Sequence, residues 1–153
     1  MKIAIIADSP LLTTGFGVEA FHVASALAEA GHEVICFGLK GSPLDQNTLL
    51  NFKLLPVDVT TRWDLTLKDF FWQEIPDLTI VLIDLFNLRE IINYCNLASW
   101  LGPIWVYLTP DGLPAYQEYL DPLSRIQKCI VTTSACSNYL KDRGINVDAI
   151  IPG

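Results

Sequence analysis

The sequence predicts an α/β fold: an open, mainly parallel β-sheet with helices on both faces. Three observations predict it. Apolar runs of five or six residues alternate with segments of helical periodicity, the succession that βαβ units produce. The strongest of these runs are near-continuous rather than alternating, as strands covered on both faces require. Charged residues make up only 18% of the chain and hydrophobic residues 51%, against about 25% charged in an average soluble domain. The 153 residues fit one domain, which buries roughly 70% of its unfolded surface and needs no disulfide or metal to hold a core.

The first strand reads as residues 3–7, stopped by the breaker Asp8-Ser9-Pro10. A loop leads to Gly15-Phe16-Gly17. From Val18 the pattern turns helical, with Phe21, Ala24, Leu27 and Ala28 spaced to cover one face. Gly31 supplies the left-handed residue that ends this helix. Residues 33–38 form the second strand, parallel to the first through a right-handed crossover. After a loop over 39–51 come a strand at 52–57, a helix at 65–74 closed by Ile75-Pro76, and the most apolar strand, 78–83. Helix 88–101, strand 104–108, helix 121–128, strand 129–133, helix 135–143 closed by Gly144, and strand 147–151 complete the chain. The expected sheet has six or seven strands with the first in its interior. No repeat or internal domain boundary interrupts the pattern.

The formal charge of −7 and the ten scattered Lys and Arg residues argue against nucleic acid and anionic lipid as partners. Cys36, Cys95, Cys129 and Cys136 form no Cys-x-x-Cys pair and read as buried thiols of a reducing cytoplasm. The apolar run at 3–7 is too short for a signal peptide, and no 18-residue apolar stretch exists. A chain this apolar is suited to covering part of its surface with a second domain or a second copy.

In an open parallel sheet, ligands bind beyond the strands' carboxyl ends where strand order reverses. With the order 3-2-1-4-5, that crevice lies between the strands ending at Ala7 and Ile83. Asp8, Asp84 and Asp111 stand at such ends, although aspartate also serves as a plain cap or turn residue. Gly15-Phe16-Gly17 opens a helix whose N–H groups suit a phosphate. Gly15-Phe16-Gly17-Val18-Glu19-Ala20 satisfies a dinucleotide-binding pattern. Seven residues, 8–14, nevertheless separate strand from glycine, and the second strand ends in Gly38-Leu39-Lys40 with no carboxylate for a ribose. Both argue against a nicotinamide site. His32 reads as structural at a helix end, His22 as a surface or half-buried residue, and Trp63, Trp72, Trp100 and Trp105 as core or domain-contact residues. No nucleophilic triad or metal-ligand constellation is visible.

Together these residues resemble a family. The strand Lys2-Ile3-Ala4-Ile5-Ile6, the loop ending Thr14-Gly15-Phe16-Gly17-Val18-Glu19 and the helix end Ala30-Gly31-His32-Glu33-Val34 resemble the opening of a GT-B glycosyltransferase. The group is the retaining, glycogen-synthase-like one (glycosyl transferases group 1). Thr109-Pro110-Asp111-Gly112 resembles the turn after the fifth strand. Residues 134–141, with Val147-Asp148-Ala149-Ile150-Ile151-Pro152-Gly153, are similar to the entry into the interdomain linker.

The resemblance implies a Rossmann-like, acceptor-binding N-terminal domain whose glycine loop approaches the donor's phosphates. It needs no cofactor beyond a nucleotide-sugar donor, and its acceptor is a carbohydrate or lipid-linked molecule. A C-terminal nucleotide-sugar domain with a Glu-x7-Glu motif belongs to the family; no two glutamates here are eight positions apart. The chain alone is therefore expected to be inactive. Many relatives carry a histidine after the fourth strand, where this sequence reads Asp84-Leu85-Phe86-Asn87, so no catalytic residue carries over. The substrate-binding candidates are Asp8, Gly15, Phe16, Gly17, Asp84 and Asp111, and a valine at Gly17 is expected to block the donor while leaving the domain folded, provided that Gly17 is not held at positive φ. The competing readings are a non-catalytic binding module and another nucleotide-using enzyme of the same fold.

Overall fold

The computed structural model describes residues 1–42, 48–58, 63–97, 102–108 and 117–150, with backbone alone at 63–64, 94–97 and 149–150. In chain order the elements are β1 (Lys2–Asp8), α1 (Gly15–Glu29), β2 (Glu33–Leu39), β3 (Lys53–Val57), α2 (Trp63–Glu74), β4 (Leu78–Leu82), α3 (Leu85–Leu97), β5 (Ile104–Leu108), α4 (Gln117–Leu120), β6 (Lys128–Val131), α5 (Ser134–Lys141) and β7 (Ala149–Ile150). All seven strands are parallel in the order β3-β2-β1-β4-β5-β6-β7. This is the expected open α/β sheet. Ile5 of β1 stands in register with Cys36 of β2 and Ile80 of β4.

Alternating side chains along each strand feed two cores. Ile3, Ile5 and Ala7 join Val34, Cys36, Leu78 and Leu82 on the face covered by α1. Ala4 and Ile6 join Val81, Val106 and Val131 on the other face, under Leu67 and Phe70 of α2, Leu88, Ile91 and Ile92 of α3, and Leu140 of α5. The chain runs outward from β1 to β2 in one direction and from β4 to β7 in the other. Right-handed crossovers then place the helices of the two arms on opposite faces.

The local differences from the sequence expectation have physical causes. Helix α1 begins at Gly15 rather than Val18, because the Thr14 side chain accepts the Gly17 N–H and caps the earlier turn. Its buried stripe is Gly17, Ala20 and Ala24, flanked by Phe16, Val23, Leu27 and Ala28. Small residues bring the helix axis close to the sheet, and Phe21 is displaced to the rim, edge-on to Phe52. The segment expected as helix 121–128 is a 3₁₀ turn over Asp121–Arg125, with extended backbone already at Ile126. Pro56 is tolerated in β3 because that strand pairs on one side only. Trp72, expected in the core or a contact, is 65% exposed. Trp105 is half-buried beneath the Lys128 ammonium, 4.6 Å from its ring centroid. Trp100 and the Trp63 side chain lie outside the described residues, as do Asp111 and the 151–153 tail.

Cys36, Cys129 and Cys136 are buried and free. Burial pushes the Cys36 and Cys129 thiols up to about 12, so neither is a thiolate near neutral pH. No helix among the described residues is long and apolar enough to cross a membrane. At the strands' amino edge, Glu74 bridges Lys2 at 3.4 Å and also pairs with Lys53. The Lys53 hydrogen bond, aided by Lys2, holds its carboxyl below the ordinary range.

Gly31 and Gly144 close α1 and α5 with φ of +87° and +76°, as their positions in the sequence suggest. Ile75 ends α2 at φ +44°, a left-handed conformation that costs a side-chain-bearing residue about 1–2 kcal/mol. It is 72% exposed, so little packing compensates. Ile75→Gly is expected to raise stability by about 0.5–1 kcal/mol after the entropy that glycine adds to the unfolded chain. A thermal melt should show Tm higher by roughly 1–4 °C; a lower Tm would mean that the Ile75 side chain stabilises the turn.

Candidate functional site

Strand order reverses between β1 and β4, and there the first helices of the two arms diverge. Between them opens a crevice of about 230 Å³, lined by Asp8, Phe16, Leu39, Lys40, Ile83, Asp84, Asn87 and Glu90. The ends of β1 and β2 and the residue following β4 form its floor. Phe16 comes from the first turn of α1, and Asn87 and Glu90 come from the start of α3. A larger hollow of about 530 Å³ lies at the amino end of β6, lined by Arg125, Gln127, Arg143 and Asn146 among others. The smaller one occupies the position where parallel sheets bind ligands.

Asp8 is the hub of the crevice. Its side chain is 8% exposed, and Lys40 Nζ lies 2.8 Å from Oδ1 and 3.1 Å from Oδ2. Thr14 Oγ1 donates to Oδ2 at 2.9 Å while accepting the Gly17 N–H at 3.1 Å. A hydroxyl that accepts and donates at once is polarised by both bonds. Lys40 takes φ +59°, an uncommon conformation for a side-chain-bearing residue and one that clusters at functional sites. The loop after β1 turns back on itself, with Ser9 N–H bonded to Leu39 O at 2.7 Å and Leu12 N–H to Ser9 O at 2.9 Å.

Of the residues singled out from sequence, Asp8, Phe16 and Asp84 meet in this crevice. Asp84 directly precedes α3, and its carbonyl accepts the Asn87 N–H at 3.0 Å. Gly15 and Gly17 lie in the first turn of α1 but do not line the crevice. The Gly17 N–H is bound by Thr14, and a Cβ there would sit 2.7 Å from both Leu12 O and Ser9 O. Gly17 is therefore required by the chain's own loop, which corrects the expectation that a valine would leave the domain folded. Asp111 is outside the described residues.

Sequence reasoning passed over Lys40, Asn87 and Glu90. Lys40 is the only Lys or Arg between residues 3 and 52, a lone cation at a strand end. Asn87 and Glu90 follow Asp84 at steps of three, the spacing that keeps residues near one helix face. Among the described residues, no group of three or more His, Cys, Asp or Glu could hold a metal ion. The His32 backbone N–H donates to Leu27 O at 3.1 Å at the end of α1, and the His22 ring lies edge-on to Phe21, ring centroids 5.7 Å apart.

Glu19 of α1 reaches Tyr107 of β5, whose hydroxyl donates to the carboxylate. Burial raises the Glu19 carboxyl above its ordinary value, opposed by the Tyr107 hydrogen bond. Glu19 is part-buried as a residue, but its Oε2 is shut from water with no partner among the described residues. Exposed apolar residues mark the same edge of the sheet: Leu11, Val18 and Phe86.

Two predictions come from this geometry. Gly17→Ala is expected to destabilise the fold by about 2 kcal/mol or more through overpacking. Gly15→Ala, where an added Cβ meets nothing within 4 Å, should be neutral or slightly stabilising. Equilibrium urea unfolding of the pair decides between them. A raised carboxyl pKa contributes stability that is complete below the unfolded value and lost as pH rises through the folded one. Wild-type protein should therefore lose stability relative to Glu19→Gln as pH climbs above 4.5. A difference between the two that stays constant from pH 4 to pH 8 would rule out this titration.

No protein-family model matches the sequence, and no curated protein does. Among solved structures, the chain is similar to UDP-GlcNAc 2-epimerase from Methanocaldococcus jannaschii, with a TM-score of 0.64 and 14% identity. The match covers 99% of this chain and 45% of that one, so the chain spans less than half the length of the enzyme it matches. Identity this low establishes the fold: an open parallel α/β sheet shared with part of an enzyme named for a nucleotide-sugar.

Proposed function

We propose that the chain is the acceptor-side, Rossmann-like half of a GT-B glycosyltransferase. Such an enzyme moves a sugar from a nucleotide-sugar donor to a carbohydrate or lipid-linked acceptor. A second domain supplies most of the donor site. The observation that carries this reading is the crevice at the strand-order reversal, whose lining combines carboxylates, an amide and an aromatic ring. The sequence features of the glycine-rich turn and the helix end at Gly31 support it, as does the likeness of fold to an enzyme named for UDP-GlcNAc.

In this reading the chain's residues bind and orient rather than carry out covalent chemistry. Asp84 accepts a hydrogen bond from an acceptor hydroxyl and holds that oxygen towards the donor. Phe16 covers an apolar face of the sugar ring and excludes water. Asp8 and Lys40 hold the end of β2 against the start of α1, so the crevice is formed before substrate arrives. The second domain docks on the rim carrying Leu11, Val18 and Phe86. The name of the fold neighbour suggests one other reading, an enzyme that epimerises C2 of a nucleotide-sugar.

Product analysis separates the two. The 153-residue chain alone, given UDP-glucose, UDP-GlcNAc or GDP-mannose, is expected to release no nucleoside diphosphate. The product of the whole gene should release it together with a glycosylated acceptor. Asp84→Asn in that product should lower transfer on the order of a hundredfold, as misplacement of a reacting group does. Transfer by the chain alone would overturn the division of labour. Conversion of the donor sugar to its C2 epimer, with no transfer, would establish the second reading.

A further inference from the structure

Resting on that reading, we propose that the crevice is built for an acceptor sugar or polyol that carries no phosphate and is held through its hydroxyl groups. The juxtaposition behind it is a set of carboxylates facing an aromatic ring, with the only lining cation among the described residues already paired.

Asp8, Asp84 and Glu90 face a single cation, Lys40, in the lining. The Lys40 ammonium is drawn onto Asp8, within 2.8 Å of one carboxylate oxygen and 3.1 Å of the other. A phosphate seated on Lys40 would have to compete with Asp8 and would leave a carboxylate that is only 8% exposed without its counter-ion. The Lys40 side chain is 56% exposed, so the cost falls on the carboxylate, which is largely shut from water and needs a charged or hydrogen-bonding partner. The chain's charge of −7 adds a general repulsion against dianions.

The two helix starts that could welcome an anion are also taken. Thr14 caps α1 through the Gly17 N–H, and its hydroxyl proton points to Asp8. Asp84 precedes α3 and already places a carboxylate at the positive end of that helix dipole. An anionic ligand at either terminus would meet an oxygen that has arrived first.

What the lining offers suits hydroxyl groups. Carboxylates accept from them, and the Asn87 side-chain amide both donates and accepts. Phe16, Leu39 and Ile83 present apolar surface to the C–H face of a sugar ring. The volume of about 230 Å³ falls below the roughly 300–1,000 Å³ of sites that enclose drug-sized ligands, and matches one sugar unit.

The test is an NMR titration of the 153-residue chain, following the backbone amides of Phe16, Lys40 and Asn87. The probes are glucose, maltose, glycerol and glucose 6-phosphate. The neutral probes that carry a pyranose ring should shift these amides saturably, and glucose 6-phosphate should bind at least tenfold more weakly than glucose. Glu90→Lys, a substitution at an exposed helix position, should narrow that gap by tenfold or more. Equal or tighter binding of glucose 6-phosphate overturns the inference, and so does the absence of any shift with the neutral sugars. Transfer by the whole gene product onto a phosphorylated acceptor would overturn the inference and leave the glycosyltransferase reading standing. Sugar binding in the crevice with no transfer by the whole gene product would support the inference and overturn that reading.

Discussion

From β1 the chain builds in one direction through β2 and β3, and it then returns to β1's other side with β4 and builds outward to β7. Crossovers between parallel strands must be right-handed, so the reversal sends α1 to one face and α3 to the other. The crevice opens at the sheet edge where these helices part. Its lining is drawn from three strand ends and two helix starts. It is a consequence of topology before it is a matter of particular side chains.

Asp8 converts that topology into a shaped site. A largely buried carboxylate needs partners, and it finds them in Thr14 on the approach to α1 and in Lys40 beyond β2. The left-handed turn at Lys40 and the close packing of Ser9 and Leu12 carbonyls over Gly17 are constraints that this cluster helps to hold in place. Capping, loop closure and crevice shape are thereby coupled through one charge. The same coupling explains why the first turn of α1 serves its own chain more than a ligand. Its third N–H is bound internally, and its second glycine lies under carbonyl oxygens.

The two edges of the sheet differ in how their charges are used. At the amino edge, Glu74 is shared between Lys2 and Lys53, and charge stitches strands to α2. At the carboxyl edge, carboxylates outnumber the one lining cation among the described residues, and apolar residues remain exposed on the rim. Glu19, part-buried against Tyr107 with one oxygen lacking a partner among the described residues, adds a further acidic group to the α1 side of this edge. An excess of hydrogen-bond acceptors at a concave edge is an arrangement for binding donors, which is the chemical basis of the acceptor reading.

Much of the fold could be read from sequence, because its signals are local or periodic. Near-continuous apolar runs such as 78–83 mark strands buried on both faces, Gly31 and Gly144 mark helix ends, and Ile75-Pro76 stops α2. Alternation of the two element types then implies a parallel sheet with its ligand crevice beside β1. Asp8 and Asp84 were visible because they stand directly at strand ends. What sequence did not decide depends on which groups meet across the fold. Lys40 matters because Asp8 lies opposite it, 32 positions away. Gly17 matters because the loop before it folds back over it, and Thr14 caps earlier than hydrophobic periodicity suggests. Periodicity reports which face of an element is buried. It does not report the partner of a charge or the approach of a distant carbonyl, and these are set only when the tertiary structure closes around them.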